Sequence, residues 1–127
     1  MVFHFDAQEK NGCFADLHTH TTASDGLLTP SQLVAQALWA GLGAVGVTDH
    51  DSTDGLEEAL AAGKQLGIQV VPGIELNTKA DDEEIHILGY YIDHDLPWLQ
   101  DLLATMRDVR WTRAKKMVEN LRRIYNF

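Results

Sequence analysis

Two histidines separated by one threonine, His18 and His20, follow a short apolar run over residues 13–15. Residues two apart in a strand point the same way, so both imidazoles should aim at one spot at the end of a first strand predicted over residues 13–18. Imidazoles that converge at a rigid strand end are typical of a transition-metal site. Asp25 follows in a polar loop and can fold back over the same spot. We therefore predict His18, His20 and Asp25 as metal ligands. The alternatives are hydrogen-bonded loop histidines and, for Asp25, a turn residue.

Two further candidate ligands follow later apolar segments. His50 lies between two aspartates after residues 44–48, and Glu75 follows a Pro-Gly pair after residues 68–71. We predict His50 as a ligand and Glu75 as a bridging ligand, because a carboxylate can bind two cations and an imidazole cannot. The alternatives are a half-buried histidine at a helix entry and an exposed loop carboxylate.

Three aspartates adjoin these candidates and are predicted to support them rather than to bind metal: Asp16, Asp49 and Asp51. Asp49 or Asp51 could orient an imidazole, and Asp51 could instead be an N-cap or a loop anchor. The spacing around His86 leaves open whether its side chain faces this site or solvent.

Helix signals separate the apolar segments. Thr29 is predicted as an N-cap, with Pro30 at the first helical position and Gln32 completing a capping box. A second helix is predicted to begin at Ser52 or Thr53 and to stop at Gly67. A third, long helix is predicted from Pro97.

The strand signals complete the pattern. Strands are predicted over residues 13–18, 44–48, 68–71 and 84–92, with an acidic turn over residues 77–84. Alternating strands and helices predict an α/β fold with parallel pairing. Functional groups gather at the carboxyl ends of such strands, where the candidate ligands lie.

Composition limits the class of protein. The 127 residues favour one domain, and the absence of a long apolar run or a leader-like amino terminus predicts a cytoplasmic protein without a membrane role. A single cysteine, Cys13, agrees with a reducing compartment.

Residues 1–106 carry 3 basic and 17 acidic side chains, whereas residues 107–127 carry 7 basic and 2 acidic ones. The acidic part suits cation binding and disfavours broad nucleic-acid binding. The basic part is most simply a solvated helix face, with a phosphate-attracting surface as the alternative.

The motifs resemble those of a known family. Asp16-Leu-His-Thr-His20, Thr48-Asp-His-Asp51 and Pro72-Gly-Ile-Glu75 are similar in order and spacing to the first three motifs of the PHP (polymerase and histidinol phosphatase) family. Glu84-Ile-His86-Ile-Leu-Gly89 resembles the next motif, and the likeness covers roughly residues 13–95. The sequence is most similar to the stand-alone phosphoesterase branch, which includes nucleoside 3′,5′-bisphosphate phosphatases and 5′-to-3′ oligoribonucleotide exonucleases.

The resemblance implies a distorted, TIM-like β/α barrel with two or three metal ions in its mouth. It implies that His18, His20 and Glu75 hold one ion, that Glu75 and His86 hold a second, and that Asp25 and His50 belong to a third. Mn, Fe or Zn suit this mixed donor set better than Mg or Ca.

The family continues well past this length and adds a later histidine and a late Asp-x-His motif. The resemblance therefore predicts an N-terminal part of the domain over residues 1–95, about four strands with helices. A long helix leading into a helical insertion is predicted over residues 96–127. Such an incomplete barrel could be an inactive fragment and could self-associate through its unpaired edges.

The function implied is a phosphoesterase acting on a small phosphorylated substrate, a nucleotide or a short oligonucleotide. A metal-activated water would attack phosphorus, and no catalytic side-chain nucleophile is predicted. The alternatives are a non-catalytic metal-binding or interaction module and a hydrolase of C–N bonds, which the motifs around His50 and Glu75 disfavour.

Overall fold

The computed structural model describes residues 14–81 and 83–125. The chain separates into two units, one ending at Ile92 and the other starting at Asp93. Three predicted boundaries lie outside the described residues: the start of the domain part over residues 1–95, the strand start at Cys13, and the end of the segment over residues 96–127.

A four-stranded sheet organises the first unit, in the order β1-β2-β3-β4. The strands are β1 (Ala15–Thr19), β2 (Ala44–Val47), β3 (Gln69–Ala80) and β4 (Glu83–Tyr90). The first three are parallel, with Asp16 opposite Val45 and Val47 opposite Pro72, and β4 runs antiparallel to β3. Helix α1 (Pro30–Trp39) joins β1 to β2, and helix α2 (Leu56–Leu66) joins β2 to β3. The predicted α/β fold class is confirmed, as a curled half-barrel sheet.

Helix α1 begins as the sequence predicts. The Thr29 side chain accepts a hydrogen bond from the Gln32 backbone N–H, and the Gln32 side chain accepts one from the Thr29 N–H. Glu58 of α2 adds a contact from outside the helix, because its Oε1 accepts hydrogen bonds from the Ser31 N–H at 3.0 Å and the Ser31 Oγ at 2.7 Å. These contacts satisfy N–H groups that have no partner within the helix.

The predicted start of α2 at Ser52 or Thr53 is wrong. The helix begins at Leu56, after Gly55. Ser52 accepts a hydrogen bond from the Asp54 N–H, and the Thr53 carbonyl accepts one from Leu56. Serine and threonine side chains form such local turns as readily as helix caps. Ser52 and Thr53 therefore did not mark the start of α2. The predicted stop is confirmed, because Gly67 has a φ of 74° and closes the last turn onto Gly63.

The acidic turn predicted over residues 77–84 is also wrong. Strand pairing continues through Asn77 opposite His86 to Ala80 opposite Glu83, so the turn is confined to the tip near Asp81. The acidic residues did not prevent pairing, because Glu83 and Glu84 remain exposed to water and their charges are not desolvated.

The core of the first unit lies between the two helices and β2. Val34 and Ala37 of α1 pack with Val45 and Val47 of β2, together with three residues of α2: Leu56, Ala59 and Ala62. Completely burying one of the valine or leucine side chains contributes about 1.5–3 kcal/mol. This packing holds the end of β2, and the loop that follows it, in a fixed place.

The second unit contains helix α3 (Pro97–Tyr125), which is 29 residues long. Pro97 stands at its start, as predicted, and Arg122 and Arg123 lie in the last turn, where cations are favoured. Leu99 and Leu103 are its buried residues. No helix in the described part of the chain is both long and apolar enough to cross a bilayer.

Candidate metal centre

Backbone hydrogen bonds place the candidate ligands next to one another. Beyond the end of β2, His50 forms an isolated parallel bridge with Glu75. The Asp51 N–H donates to the Glu75 carbonyl at 2.9 Å, and the Glu75 N–H donates to the Asp49 carbonyl at 3.2 Å. Thr48 is anchored to the end of β1, since its N–H donates to the Thr19 carbonyl at 2.9 Å. The polar segments after β1 and β2 therefore meet the middle of β3.

The Glu75 carboxylate is the centre of the cluster. Its residue is only 2% exposed, yet four imidazoles surround it. Oε2 lies 2.9 Å from His18 Nε2, 3.2 Å from His20 Nε2 and 3.5 Å from His50 Nδ1, whereas Oε1 lies 2.8 Å from His86 Nδ1. One buried carboxylate is thus shared by four imidazoles from three separate segments of the chain.

The ionisation of Glu75 follows from these neighbours. Burial by itself would raise the pKa of this carboxyl group, but the hydrogen bond from His18 and the charges of His50 and His18 outweigh burial. The net result is a pKa below the ordinary value for glutamate. Glu75 is therefore an anion at neutral pH, as a bridging metal ligand must be.

Asp25 closes the opposite side of the cluster. Its Oδ1 lies 3.5 Å from His20 Nδ1, and its Oδ2 lies 3.8 Å from His50 Nε2. Its side chain is 70% exposed, the highest value among the six candidate ligands. Asp25 therefore stands between the two more buried imidazoles and solvent.

The loop that carries Asp25 is wrapped around a second buried carboxylate, that of Asp49. Asp49 Oδ1 accepts hydrogen bonds from the Thr21 N–H at 2.7 Å and the Ser24 Oγ at 2.6 Å, and Oδ2 accepts one from the Thr21 Oγ1 at 2.8 Å. The Thr21 carbonyl accepts from the Ser24 and Gly26 N–H groups. Gly26 is required here, because a Cβ would lie 2.2 Å from the His20 carbonyl oxygen. Asp49 thus shapes the loop, whereas the sequence suggested that it could orient an imidazole.

The other two aspartates also bind backbone. Asp16 Oδ1 accepts from the His18 N–H at 3.1 Å. Asp51 has a φ of 48° and accepts from the Asn77 N–H and Nδ2 at 3.0 and 3.1 Å. The prediction that Asp51 could anchor a loop is confirmed, because it ties the end of the β2 segment to β3.

The donor set fits divalent cations. Its atoms form three groups, each with ligand atoms within 4.8 Å of one another: His18–His20–Glu75, His20–Asp25–His50 and His50–Glu75–His86. The Nδ1 atoms of His20 and His50 are buried and have no hydrogen-bond partner in the described part of the chain. A buried polar atom without a partner is costly, and a cation would satisfy both. Imidazole and carboxylate together suit transition metals.

All six predicted ligands are thus brought together, and the side of β4 on which His86 lies is settled by its contact with Glu75. Sequence reasoning missed the supporting roles of Thr21, Ser24 and Asn77. Thr21 and Ser24 lie between the predicted ligands His20 and Asp25, and this position could have indicated their supporting role. Nothing in the sequence pointed to Asn77, because it fell in the segment predicted to be a turn.

Comparison with known proteins agrees with this geometry. Residues 16–98 match the model of the PHP domain. A 5′-3′ exoribonuclease of Salmonella typhimurium is 40% identical over 114 residues, which cover 87% of this chain and 38% of the enzyme. A 3′,5′-nucleoside bisphosphate phosphatase of Chromobacterium violaceum is 38% identical over 106 residues, which cover 84% of this chain and 37% of that enzyme.

A solved structure shares the fold. A Bifidobacterium adolescentis protein described as a metal-dependent phosphoesterase has a TM-score of 0.81 and is 37% identical, with 86% of this chain and 38% of that chain covered. The chain thus spans well under half the length of the relatives that it matches.

Proposed function

Because the chain belongs to the PHP domain family, we propose that it serves as a metal-dependent phosphoesterase that hydrolyses phosphoester bonds in nucleotides or oligonucleotides. One observation carries this proposal: a buried, anionic Glu75 is shared by four imidazoles, and two of these have buried nitrogen atoms without a hydrogen-bond partner among the described residues. The named activities of the relatives, exoribonuclease and bisphosphate phosphatase, support the choice of phosphoesters as substrates.

We propose two or three divalent ions, Mn, Fe or Zn, held by the three groups of ligands. His18, His20 and Glu75 would hold the first, Glu75 and His86 the second, and Asp25 and His50 the third. Cations bound there would neutralise charge on the substrate's phosphate and activate water for attack on phosphorus.

The chain's own residues prepare this chemistry. Glu75 is held as an anion and offers one oxygen to each side of the cluster. Asp49 holds the loop that presents Asp25. The hydroxyl groups of Thr21 and Ser24 donate to Asp49, and these bonds fix the loop in place.

Hydrolysis of a nucleoside 3′,5′-bisphosphate and of a short oligoribonucleotide, with added Mn²⁺, tests the proposal. Because the relatives are longer, we would assay both this chain and a chimera that takes the remaining part from the Salmonella typhimurium relative. We expect a chelator, or His18→Ala, to remove nearly all release of phosphate from the bisphosphate, and of nucleotide from the oligoribonucleotide, by the active form. Wild-type-like turnover by His18→Ala, or no turnover by a folded chimera, would refute the assignment.

A non-catalytic metal-binding or interaction module is the second candidate, because the three groups of ligand atoms could hold cations without turnover. Metal bound by the chain without turnover by chain or chimera would select it.

We also propose that residues 1–95 form part of the PHP domain and that residues 96–127 lead into a helical insertion.

Self-association through the sheet is a further proposal. β1 and β4 are the outer strands, and Leu17, Ile85 and Ile87 are 42–52% exposed. Unpaired strand edges favour pairing with another chain. Light scattering coupled to size-exclusion chromatography should detect a dimer that Ile87→Lys weakens, and a clean monomer would exclude it.

A further inference from the structure

Helix α3 presents aromatic and basic side chains along one line. Trp111, Lys115, Val118, Arg122 and Tyr125, here termed the aromatic-basic stripe, are spaced at i, i+4, i+7, i+11 and i+14, which places them on one side of a helix. Trp111 is 64% exposed and Tyr125 is 69% exposed. Lys115 Nζ lies 5.2 Å from the centre of the Trp111 ring. At 1.5 Å per residue, the stripe is about 21 Å long.

We infer that the aromatic-basic stripe binds single-stranded nucleic acid. Proteins that bind single strands combine a basic track for the phosphates with aromatic rings on which bases stack, and both occur here on one line. Residues 107–125 carry seven basic and two acidic side chains, so the charge of this segment is opposite to that of a phosphate backbone. The inference rests on the proposed phosphoesterase function, which includes oligonucleotides as substrates, and adds a surface on α3 that binds a single strand.

The placement of the aromatic rings favours nucleic acid over a lipid surface. A helix that lies on a membrane has its aromatic and aliphatic side chains on one face and its lysines and arginines on the other. In α3 Met106, Met117 and Ile124 lie roughly opposite to Trp111 around the helix, and Val118 is the one aliphatic member of the stripe. Trp111 and Tyr125 instead share a side with Lys115 and Arg122. Aromatic rings that lie among basic side chains suit a ligand in which flat bases alternate with phosphates.

Binding is tested with the whole chain in EDTA, which prevents metal-dependent hydrolysis. The measurement is the fluorescence anisotropy of a labelled single-stranded oligouridylate of about 12 nucleotides, titrated at several salt concentrations. Trp111→Ala should weaken binding about tenfold, because it removes a stacking platform. The double variant Lys115→Gln/Arg122→Gln should reduce the slope of log affinity against log salt by about 1.4, since each single-strand phosphate contact contributes about 0.7.

A matched control removes the same charge from elsewhere on the helix. Arg113→Gln/Lys116→Gln leaves the stripe intact and should weaken binding less than Lys115→Gln/Arg122→Gln. Circular dichroism checks that each variant keeps its helix. Equal loss in both double variants, an unchanged affinity in Trp111→Ala, or binding to phosphatidylserine vesicles but not to the oligonucleotide would each overturn the inference. Release of phosphate from a nucleoside bisphosphate is measured separately, so failure of one result is distinguishable from failure of the other.

Discussion

The metal centre and the aromatic-basic stripe are built in opposite ways. The centre takes its ligands from four segments of the first unit and fixes them with buried hydrogen bonds to Asp49, Asp51 and Glu75. The stripe comes from one continuous helix, and all of its side chains are exposed. The centre lies in the acidic part of the chain and the stripe in the basic part.

The difference reflects what each site has to bind. A small cation requires several ligand atoms within a few ångströms, which only a tightly packed meeting of segments can provide. A flexible polymer requires charges and rings at regular intervals, which helical periodicity supplies without further packing. Substitutions in the first site should therefore disturb structure and binding together, whereas substitutions in the second should disturb binding alone.

The largest effect is expected in the metal affinity of Glu75→Gln. It removes the negative charge shared by the imidazoles, and we expect metal affinity to fall by more than about 100-fold, beyond the loss typical for supporting residues. Metal content after dialysis, measured by inductively coupled plasma mass spectrometry, tests this. Glu84→Gln on the exposed part of β4 is the matched control. Wild-type metal content in Glu75→Gln would remove Glu75 from the centre.

Asp49→Ala should affect both folding and metal binding. It leaves the Thr21 N–H and two hydroxyl groups without their acceptor, and we expect a loss of about 3 kcal/mol in the free energy of unfolding. The Asp25 group of ligands should lose affinity about 10- to 100-fold. Urea denaturation and metal titration measure the two effects, with the exposed Glu57→Ala as control. Lost metal with unchanged stability would mean that Asp49 does not shape the loop.

Gly26→Ala tests how closely the Asp25 loop is packed. The added Cβ would lie 2.2 Å from the His20 carbonyl oxygen, so the backbone must shift, at a cost of about 1–3 kcal/mol. Gly89→Ala is the control, because the nearest atom to its Cβ would lie at 3.5 Å. Thermal unfolding of the two variants should differ clearly, and equal melting temperatures would contradict the described loop.

A smaller effect on the free energy of unfolding is expected from Glu58→Gln, and this effect should depend on pH. Hydrogen bonds from the Ser31 side chain and backbone lower the pKa of Glu58. Because its folded-state pKa is lowered, the ionised carboxylate stabilises the fold at pH values above the ordinary pKa of glutamate. This stabilisation is lost as the pH falls through the folded-state pKa. The variant should therefore be slightly less stable than wild type at pH 7, and the difference should disappear once the pH falls below the folded-state pKa of Glu58. A difference that grows on acidification would contradict this linkage.

The smallest effect on stability is expected from Trp111→Ala. The ring is largely exposed, and exposed substitutions change the free energy of unfolding by no more than about 0.5 kcal/mol. Urea denaturation measures it, with buried Leu103→Ala as the contrasting variant, expected to lose about 2–5 kcal/mol. A large loss in Trp111→Ala would make the ring a packing residue and would end the contrast between the two sites.

The sequence predicted the parts of the structure that depend on local signals. Thr29, Pro30 and Gly67 marked helix ends correctly, and alternating strands and helices predicted where ligands would gather. Ser52 and Thr53 were misleading, because hydroxyl side chains serve turns and caps equally well. The extension of β3 through Asn77 depends on pairing with β4, a contact between segments that local patterns do not record. The same reason hid the bonds of Asp49 to Thr21 and Ser24, which join residues more than 20 positions apart.

The backbone bridge between His50 and Glu75 also limits how the chain can change length during evolution. A residue inserted between Val47 and His50 would move one partner by about 3.3 Å and turn its side chain to the other face of the sheet. Insertions and deletions should therefore be absent there among functional descendants. The exposed Asp81 lies at the tip between β3 and β4, where added residues cost little. Length variation among relatives of this chain should accumulate at that tip and avoid the bridge.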